Sequence, residues 1–174
     1  HPEVFSAHEA AKGARVPLIN AGDGTYEGPS QALADLFTLR QEHGSMDGLT
    51  ISLVGDLRHS RFVHSLARGL THWDVSLGLV SPSSLKLSSV LTVPLKRAVA
   101  VTEVERLIEA MDGCDVVYVA PIEVEAFPRQ AEAENAQAWL GAQLKVLEQT
   151  GGDVTVMCPR PTPTWPEGAG QMVE

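Results

Sequence analysis

Short apolar runs alternate along the chain with longer segments in which apolar residues recur at helical spacing. The runs are rich in β-branched residues, and this pattern predicts strands. Runs that are apolar at nearly every position are typical of strands buried on both faces, and such strands are usually parallel. Six strands are predicted, at Val16–Ile19, Thr50–Val54, Val75–Val80, Ala98–Val101, Val116–Val119 and Val154–Met157.

The segments between these runs predict helices. Gly28–His43 opens with Gly-Pro, which suits a first helical turn, and it ends at Gly44. It places Leu33, Leu36 and Phe37 on one face. Three further helices are predicted, at Ser60–Leu70, Thr102–Met111 and Arg129–Gln149.

Three segments have additional local signals. The helix at Thr102–Met111 begins with Thr102 and Glu105 in the spacing of a capping box. The segment Ser81–Leu95 is rich in Ser, Leu and Pro, and we expect it to be the loosest part of the interior. The tail Cys158–Glu174 holds four prolines, which exclude a helix and favour an extended chain along a surface or a partner.

The alternation of strands and helices predicts the fold class. We expect an α/β domain with a doubly wound, mostly parallel sheet of five to six strands and helices on both faces, in the Rossmann-like manner. One such domain would span residues 1–157, followed by the proline-rich tail at residues 158–174. The length of 174 residues is enough for one domain with a proper core.

Charge and composition narrow the classes of function. The formal net charge of −9 disfavours nucleic acid and anionic membranes as partners, because both attract clustered Lys and Arg. No apolar run is long enough to span a bilayer. Cys114 and Cys158 set no disulfide framework, which favours an intracellular location, either the cytoplasm or the lumen of an organelle such as a mitochondrion or plastid. The chain begins at His1 without a Met, as a trimmed part of a longer protein would.

Ligands in a doubly wound sheet bind beyond the carboxyl ends of the strands, so the loops there are candidate sites. The glycine-rich loop Asn20–Glu27 lacks the G-x-G-x-x-G pattern of dinucleotide sites, and either a tight turn or a backbone anion site fits it. The six His residues lack metal-ligand spacing, and we expect neither a metal nor an organic cofactor. The other candidate loops are Gly55–Ser60, Ala120–Phe127 and Cys158–Pro163.

Basic side chains gather after the second predicted strand. Arg58 and Arg61 lie at the start of a helix, where a carboxylate ligand is favoured. Asp56 could orient them, and the alternative is an ordinary surface ion pair of Asp56 with one of the arginines. Both interpretations remain open from the sequence alone.

Three segments carry a family resemblance: VPLINAGDG, EGPSQALADLFTLRQEHG and GLTISLVGDLRHSRFVHSLARGL, which together span Val16–Leu70. They resemble the aspartate-binding half of aspartate carbamoyltransferase in order and spacing. The resemblance implies a reaction in which the amine of aspartate attacks carbamoyl phosphate and phosphate leaves, without a metal or organic cofactor. It also implies a catalytic trimer, and hence protein partners, either as a homo-oligomer or in a larger assembly.

The resemblance assigns site residues and exposes departures from the family pattern. It implies that Gln31 contacts carbamoyl phosphate and that Arg61 clamps a substrate carboxylate, with Arg58 a mild change from the family's Lys. Gly28 stands where the family has a catalytic His. Pro121 and Glu123 replace an Arg and a Gln that bind aspartate, so a cation is lost and a repulsive charge is gained.

The last loop departs as well, because Arg160 replaces a Leu, although it could offer a new anion site.

Three hypotheses follow. The first is a degenerate, catalytically inactive domain that serves as a structural or assembly subunit. The second is the aspartate-binding half of a working aspartate carbamoyltransferase in pyrimidine biosynthesis. The third is a regulatory module that uses Gln31 and Arg61 to bind a small anion or amino acid.

Overall fold

The computed structural model describes residues 3–150 and 154–159. Its centre is a sheet of five parallel strands in the order β3-β2-β1-β4-β5. This arrangement confirms the predicted α/β, doubly wound fold, because the chain starts at the middle strand and winds outward in both directions. The strands are β1 (Thr50–Gly55), β2 (Ser76–Val80), β3 (Ala100–Val104), β4 (Val116–Ala120) and β5 (Thr155–Met157).

Helices cover both faces of the sheet. One face packs against α2, α3 and α4, and the other packs against α5. Side chains of each central strand point alternately to the two faces of the sheet. Leu53 packs in the first core, beneath α2, α3 and α4, and Val54 packs in the second core, beneath α5. The helices are α1 (Ser6–Gly13), α2 (Pro29–His43), α3 (Arg61–Leu70), α4 (Ser89–Ala98) and α5 (Gln130–Thr150), with 3₁₀ turns at Ser83–Leu85, Leu107–Ala110 and Val124–Ala126.

The helix α3 follows its sequence pattern closely. Ser60 caps it, with its Oγ accepting a hydrogen bond from the Val63 amide at 3.5 Å. Val63, Leu66 and Leu70 are fully buried against the sheet. Full burial of one such aliphatic side chain is worth about 1.5–3 kcal/mol, so this face holds the helix and its N-terminus in place.

Glycine is required where β1 leaves the sheet. Gly55 has φ 123°, a conformation that other residues rarely adopt. A Cβ at this position would lie 2.0 Å from the carbonyl oxygen of Ala120, at the end of β4. The ends of β1 and β4 therefore approach each other closely, and the loops that follow them are brought side by side.

Three local predictions were wrong. Val16–Ile19 is irregular and exposed, with Ile19 91% accessible, so its β-branched run pairs with no strand in the described part of the chain. Thr102–Met111 is not a helix, because Thr102 and Glu103 pair with β2 and only a 3₁₀ turn follows. The segment Ser81–Leu95 contains most of α4, which buries Leu91 and Leu95.

The face of α2 that carries Leu33, Leu36 and Phe37 is only partly buried: Leu36 packs against the first core, whereas the buried residues of the helix are Ala32, Asp35 and Leu39. Leu33 and Phe37 are instead 67% and 65% exposed. The helix α1 was not predicted at all.

None of the helices in the described ranges has the length and apolar content needed to cross a membrane. The tail lies almost wholly outside the described residues.

Candidate functional site

A cavity of about 590 Å³ opens at the carboxyl ends of β1 and β4. Three of the four predicted loops meet there, as expected for a sheet of this type. Most of the fourth loop lies outside the described residues. The cavity is lined by Gly24, Thr25, Arg58, His59, Arg61, Phe62, Glu123, Glu125 and Ala126.

Asp56 organises the walls of this cavity. Its carboxylate is fully buried and accepts hydrogen bonds from the backbone amide and from Nδ1 of His59, both at 3.0 Å. It also accepts a hydrogen bond from the backbone amide of Glu123, at 3.3 Å. The predicted pairing of Asp56 with an arginine is therefore replaced by a His–Asp pair. A carboxylate on Nδ1 fixes the ring orientation and favours the tautomer with Nε2 as acceptor.

Arg58 and Arg61 both line the cavity. Arg61 donates a hydrogen bond from Nη1 to the carbonyl oxygen of Gly24 at 2.8 Å, and its Cζ lies 5.1 Å from the centre of the Phe62 ring. Arg58 is more exposed and donates to the carbonyl oxygen of Ser84 at 3.3 Å. Each guanidinium has five N–H donors, so one bond to a carbonyl leaves others for an anionic ligand.

Gly28 shows why the family's His has no room in this chain. A Cβ at Gly28 would lie 2.8 Å from Cδ1 of Phe62, much closer than an ordinary contact between carbon atoms. The aromatic ring occupies the space into which a side chain at this position would project. The backbone amide of Gly28 donates to Oγ of Ser65 at 3.0 Å, which fixes the start of α2.

Gln31 does not line the cavity, although sequence reasoning placed it in the site. Its Nε2 donates to Oδ1 of Asp35 at 2.9 Å, and the hydroxyl of Tyr118 donates to the other carboxylate oxygen at 2.8 Å. Burial raises the pKa of Asp35, although both hydrogen bonds oppose the shift. Burial also raises the pKa of the Tyr118 hydroxyl, and the Asp35 charge adds to this effect. This network joins α2 to β4.

The loop after β4 carries the negative wall of the cavity. Pro121 directly follows the strand and does not line the cavity. Glu123 is half-buried and Glu125 is exposed, and both line it. Arg160, the remaining candidate, lies outside the described residues.

The sequence pattern placed His59 in a candidate loop without assigning it a role, and it did not indicate Phe62. The available signal for His59 was its position three residues after Asp56, at the end of a buried strand. No comparable signal marked Phe62, because its role depends on the neighbouring Gly28. No group of three or more His, Cys, Asp or Glu that could hold a metal ion occurs within residues 3–150 and 154–159.

Comparison with known proteins decides the family. The chain is 41% identical over 162 residues to the aspartate carbamoyltransferase catalytic subunit of Thermococcus kodakarensis, a match that covers 92% of this chain. It is also 38% identical over 161 residues to the corresponding subunit of Nitrosopumilus maritimus. The chain belongs to the aspartate carbamoyltransferase family.

Solved aspartate carbamoyltransferases share the fold of this family member. The Trypanosoma cruzi enzyme, in complex with carbamoyl aspartate and phosphate, superimposes with a TM-score of 0.79 at 32% identity, covering 92% of this chain and 53% of that one. The catalytic subunit of M. jannaschii aspartate transcarbamoylase gives a TM-score of 0.81 at 34% identity, covering 97% of this chain and 56% of that one.

The chain spans about half the length of the two catalytic subunits above, 52% of the Thermococcus kodakarensis subunit and 52% of the Nitrosopumilus maritimus subunit. A family model described as the aspartate/ornithine carbamoyltransferase carbamoyl-P binding domain matches residues 1–41. Sequence analysis had compared the whole of Val16–Leu70 with the aspartate-binding half. The match reassigns the first part of that segment to the model of the other half.

Proposed function

We propose that this chain provides the amino-acid-binding half of a working carbamoyltransferase, which transfers a carbamoyl group from carbamoyl phosphate to an α-amine as in aspartate carbamoyltransferase. The observation that carries this proposal is the position of Arg58 and Arg61 together in one cavity at the carboxyl edge of the sheet. The identity of 41% to a protein named as a catalytic subunit supports the same conclusion.

In this proposal, the two arginines bind the carboxylate of the amino acid. Paired guanidinium groups suit this task, because their N–H donors match the geometry of carboxylate oxygens. His59, held at Nδ1 by Asp56, would present Nε2 to the amine and accept a proton from it as the new N–C bond forms. The phosphate then leaves from the carbamoyl carbon.

The remaining parts of the active site would come from a carbamoyl-phosphate-binding half. Residues 1–41 match the model of that half, and the apolar side chains of Val16, Leu18 and Ile19 are exposed on this segment. Such a group of exposed apolar residues is typical of a surface that another domain covers. We infer that this segment packs against the carbamoyl-phosphate-binding half in the assembled protein.

A second candidate is a protein that keeps the fold for assembly and has lost the chemistry. Gly28 favours it, because a backbone position cannot polarise a carbonyl as an imidazole does. Loss of one such donor typically costs about 10²–10³ in rate. Pro121 and Glu123 also favour it, since they remove an attraction and add a repulsion for an acidic amino acid.

Ligand titration separates these candidates. We would combine the chain with a carbamoyl-phosphate-binding half, titrate the assembly with carbamoyl phosphate, L-aspartate and N-(phosphonacetyl)-L-aspartic acid, and assay carbamoyl transfer to aspartate and to other α-amino acids. Binding of the phosphonacetyl compound, lost in Arg61→Ala, together with turnover, would support the enzyme. No binding of any of the three ligands, together with no carbamoyl transfer to any α-amino acid, would favour the assembly role. Binding of a different small anion, also lost in Arg61→Ala, would indicate the regulatory module.

A further inference from the structure

The cavity carries both signs of charge on separate elements. Arg58 and Arg61 stand on the loop after β1 and the start of α3, whereas Glu123 and Glu125 stand on the loop after β4. The formal charges of these four groups cancel. A ligand with one negative and one positive end is complementary to such a cavity, whereas a ligand with two negative ends is complementary to only half of it.

We propose that this cavity selects an α-amino acid with a cationic side chain over one with an acidic side chain. The proposal rests on the proposed function in one respect, since it identifies the class of the amine-bearing substrate of that site. The α-carboxylate would bind Arg58 and Arg61. The cationic side chain would lie against Glu123 and Glu125.

Arg58 and Arg61 form the positive wall of the cavity. Their contacts with the protein leave further N–H donors for a ligand. The bond from Arg61 to the Gly24 carbonyl holds the guanidinium beside the glycine-rich loop, and its stacking near Phe62 restricts its rotation. This arrangement favours a carboxylate at a defined position. Arg58 adds a second cation from the adjacent loop.

The negative wall is fixed as well. The backbone amide of Glu123 is bound to the buried carboxylate of Asp56, so the loop that carries Glu123 and Glu125 is attached to the loop that carries Arg58. Glu123 itself is half-buried and lines the cavity. A second carboxylate, Glu125, lines the same wall from the 3₁₀ turn Val124–Ala126.

An acidic side chain meets these carboxylates unfavourably. When aspartate places one carboxylate on the arginines, its other carboxylate lies toward Glu123 and Glu125, and like charges repel. Diaminobutyrate, which has a similar length and ends in an ammonium group, gains an attraction at the same place. We expect at least a tenfold difference in Kd between these two ligands, which corresponds to about 1.4 kcal/mol.

The test is isothermal titration calorimetry of the whole chain at neutral pH and low salt. The ligands are L-aspartate, L-asparagine and L-diaminobutyrate, which differ mainly in the charge at the end of the side chain. We expect diaminobutyrate to bind most tightly, asparagine less tightly and aspartate most weakly. The double variant E123Q/E125Q should lose at least most of the preference for diaminobutyrate, and Arg61→Gln should weaken the binding of all three.

Glu9→Gln serves as a control for the removal of a carboxylate charge, because it removes one such charge from α1, which contributes no residue to the lining of the cavity. It should leave the order of affinities unchanged. Equal or tighter binding of aspartate, or no binding of any of the three, would overturn the proposal. So would an order that survives in E123Q/E125Q.

A parallel assay of carbamoyl transfer, run on the chain combined with a carbamoyl-phosphate-binding half, keeps the two proposals distinguishable. Selective binding of diaminobutyrate without transfer of a carbamoyl group would leave the selectivity standing and refute the enzymatic function. Transfer to aspartate, with aspartate bound more tightly than diaminobutyrate, would support the enzymatic function and refute the selectivity.

Discussion

Substitution of Gly28 tests whether Phe62 has taken the space of the family's imidazole. Gly28 has φ −130° and ψ 60°, outside the left-handed region that favours glycine, so Gly28→Ala chiefly tests side-chain packing. The new Cβ would lie 2.8 Å from Cδ1 and 3.1 Å from Cε1 of Phe62. Contacts between carbon atoms are optimal at about 3.5–4.0 Å, so the ring or the start of α2 must move by roughly 0.7–1.2 Å.

The expected cost follows from this overlap. Forcing an extra methyl group into a filled space typically costs about 1–3 kcal/mol, whereas replacement of glycine by alanine at an unstrained position stabilises by about 0.4–1 kcal/mol. The steric term is the larger, so Gly28→Ala should destabilise the wild-type protein by about 1–2 kcal/mol. In a Phe62→Ala background the clash is absent, and the same substitution should be neutral or stabilising.

The assay is a double-mutant cycle followed by urea denaturation. We expect a coupling energy of about 1–3 kcal/mol between the two positions. Gly141→Ala is the control, because nothing lies within 4 Å of a Cβ there and α5 should gain about 0.5–1 kcal/mol. A coupling energy below about 0.5 kcal/mol would refute the assignment, since it is within the additivity of independent sites. It would also show that an imidazole could return to Gly28 without repacking.

Three further predictions concern the core beneath the site. Burial raises the pKa of Asp35, so its contribution to the free energy of unfolding is full below the usual carboxyl pKa of 3.8 and is lost as pH rises through the raised value. Asp35→Asn should therefore flatten the pH dependence of the urea midpoint. Gly55→Ala should lower Tm by about 4–8 °C by calorimetry, since strain and the clash with Ala120 together cost at least about 2 kcal/mol; an unchanged Tm would contradict it. In a Cys158→Ser background, Cys114 should react with a thiol reagent far more slowly in the folded protein than in urea, because its thiol is buried and its pKa is raised by burial; equal rates would contradict it.

The central strands could be predicted from the sequence because burial on both faces imposes a continuous apolar run. β1 and β4 are such strands, and every residue of β4 is buried. The same local pattern misled at Val16–Ile19, since nothing in a short run reveals whether a neighbouring strand exists. At Thr102 the capping signal was local, whereas its pairing with Gly78 depends on a distant strand.

The candidate site was predicted in part. Arg58 and Arg61 follow a buried strand, and the position of ligand sites in doubly wound sheets then indicates them. Gln31 lies outside the cavity, and its amide bonds to Asp35 in a network that includes Tyr118, 83 residues away from Asp35. Three-dimensional contacts of this kind leave no pattern in a single sequence.

The Asp56 carboxylate has a mechanical consequence. It is bound both to His59 and to the amide of Glu123, so one buried group spans the gap between two surface loops. A ligand that moves one of these loops must also move the other or break a buried hydrogen bond. The two loops should therefore move together, so that binding at one of them favours binding at the other.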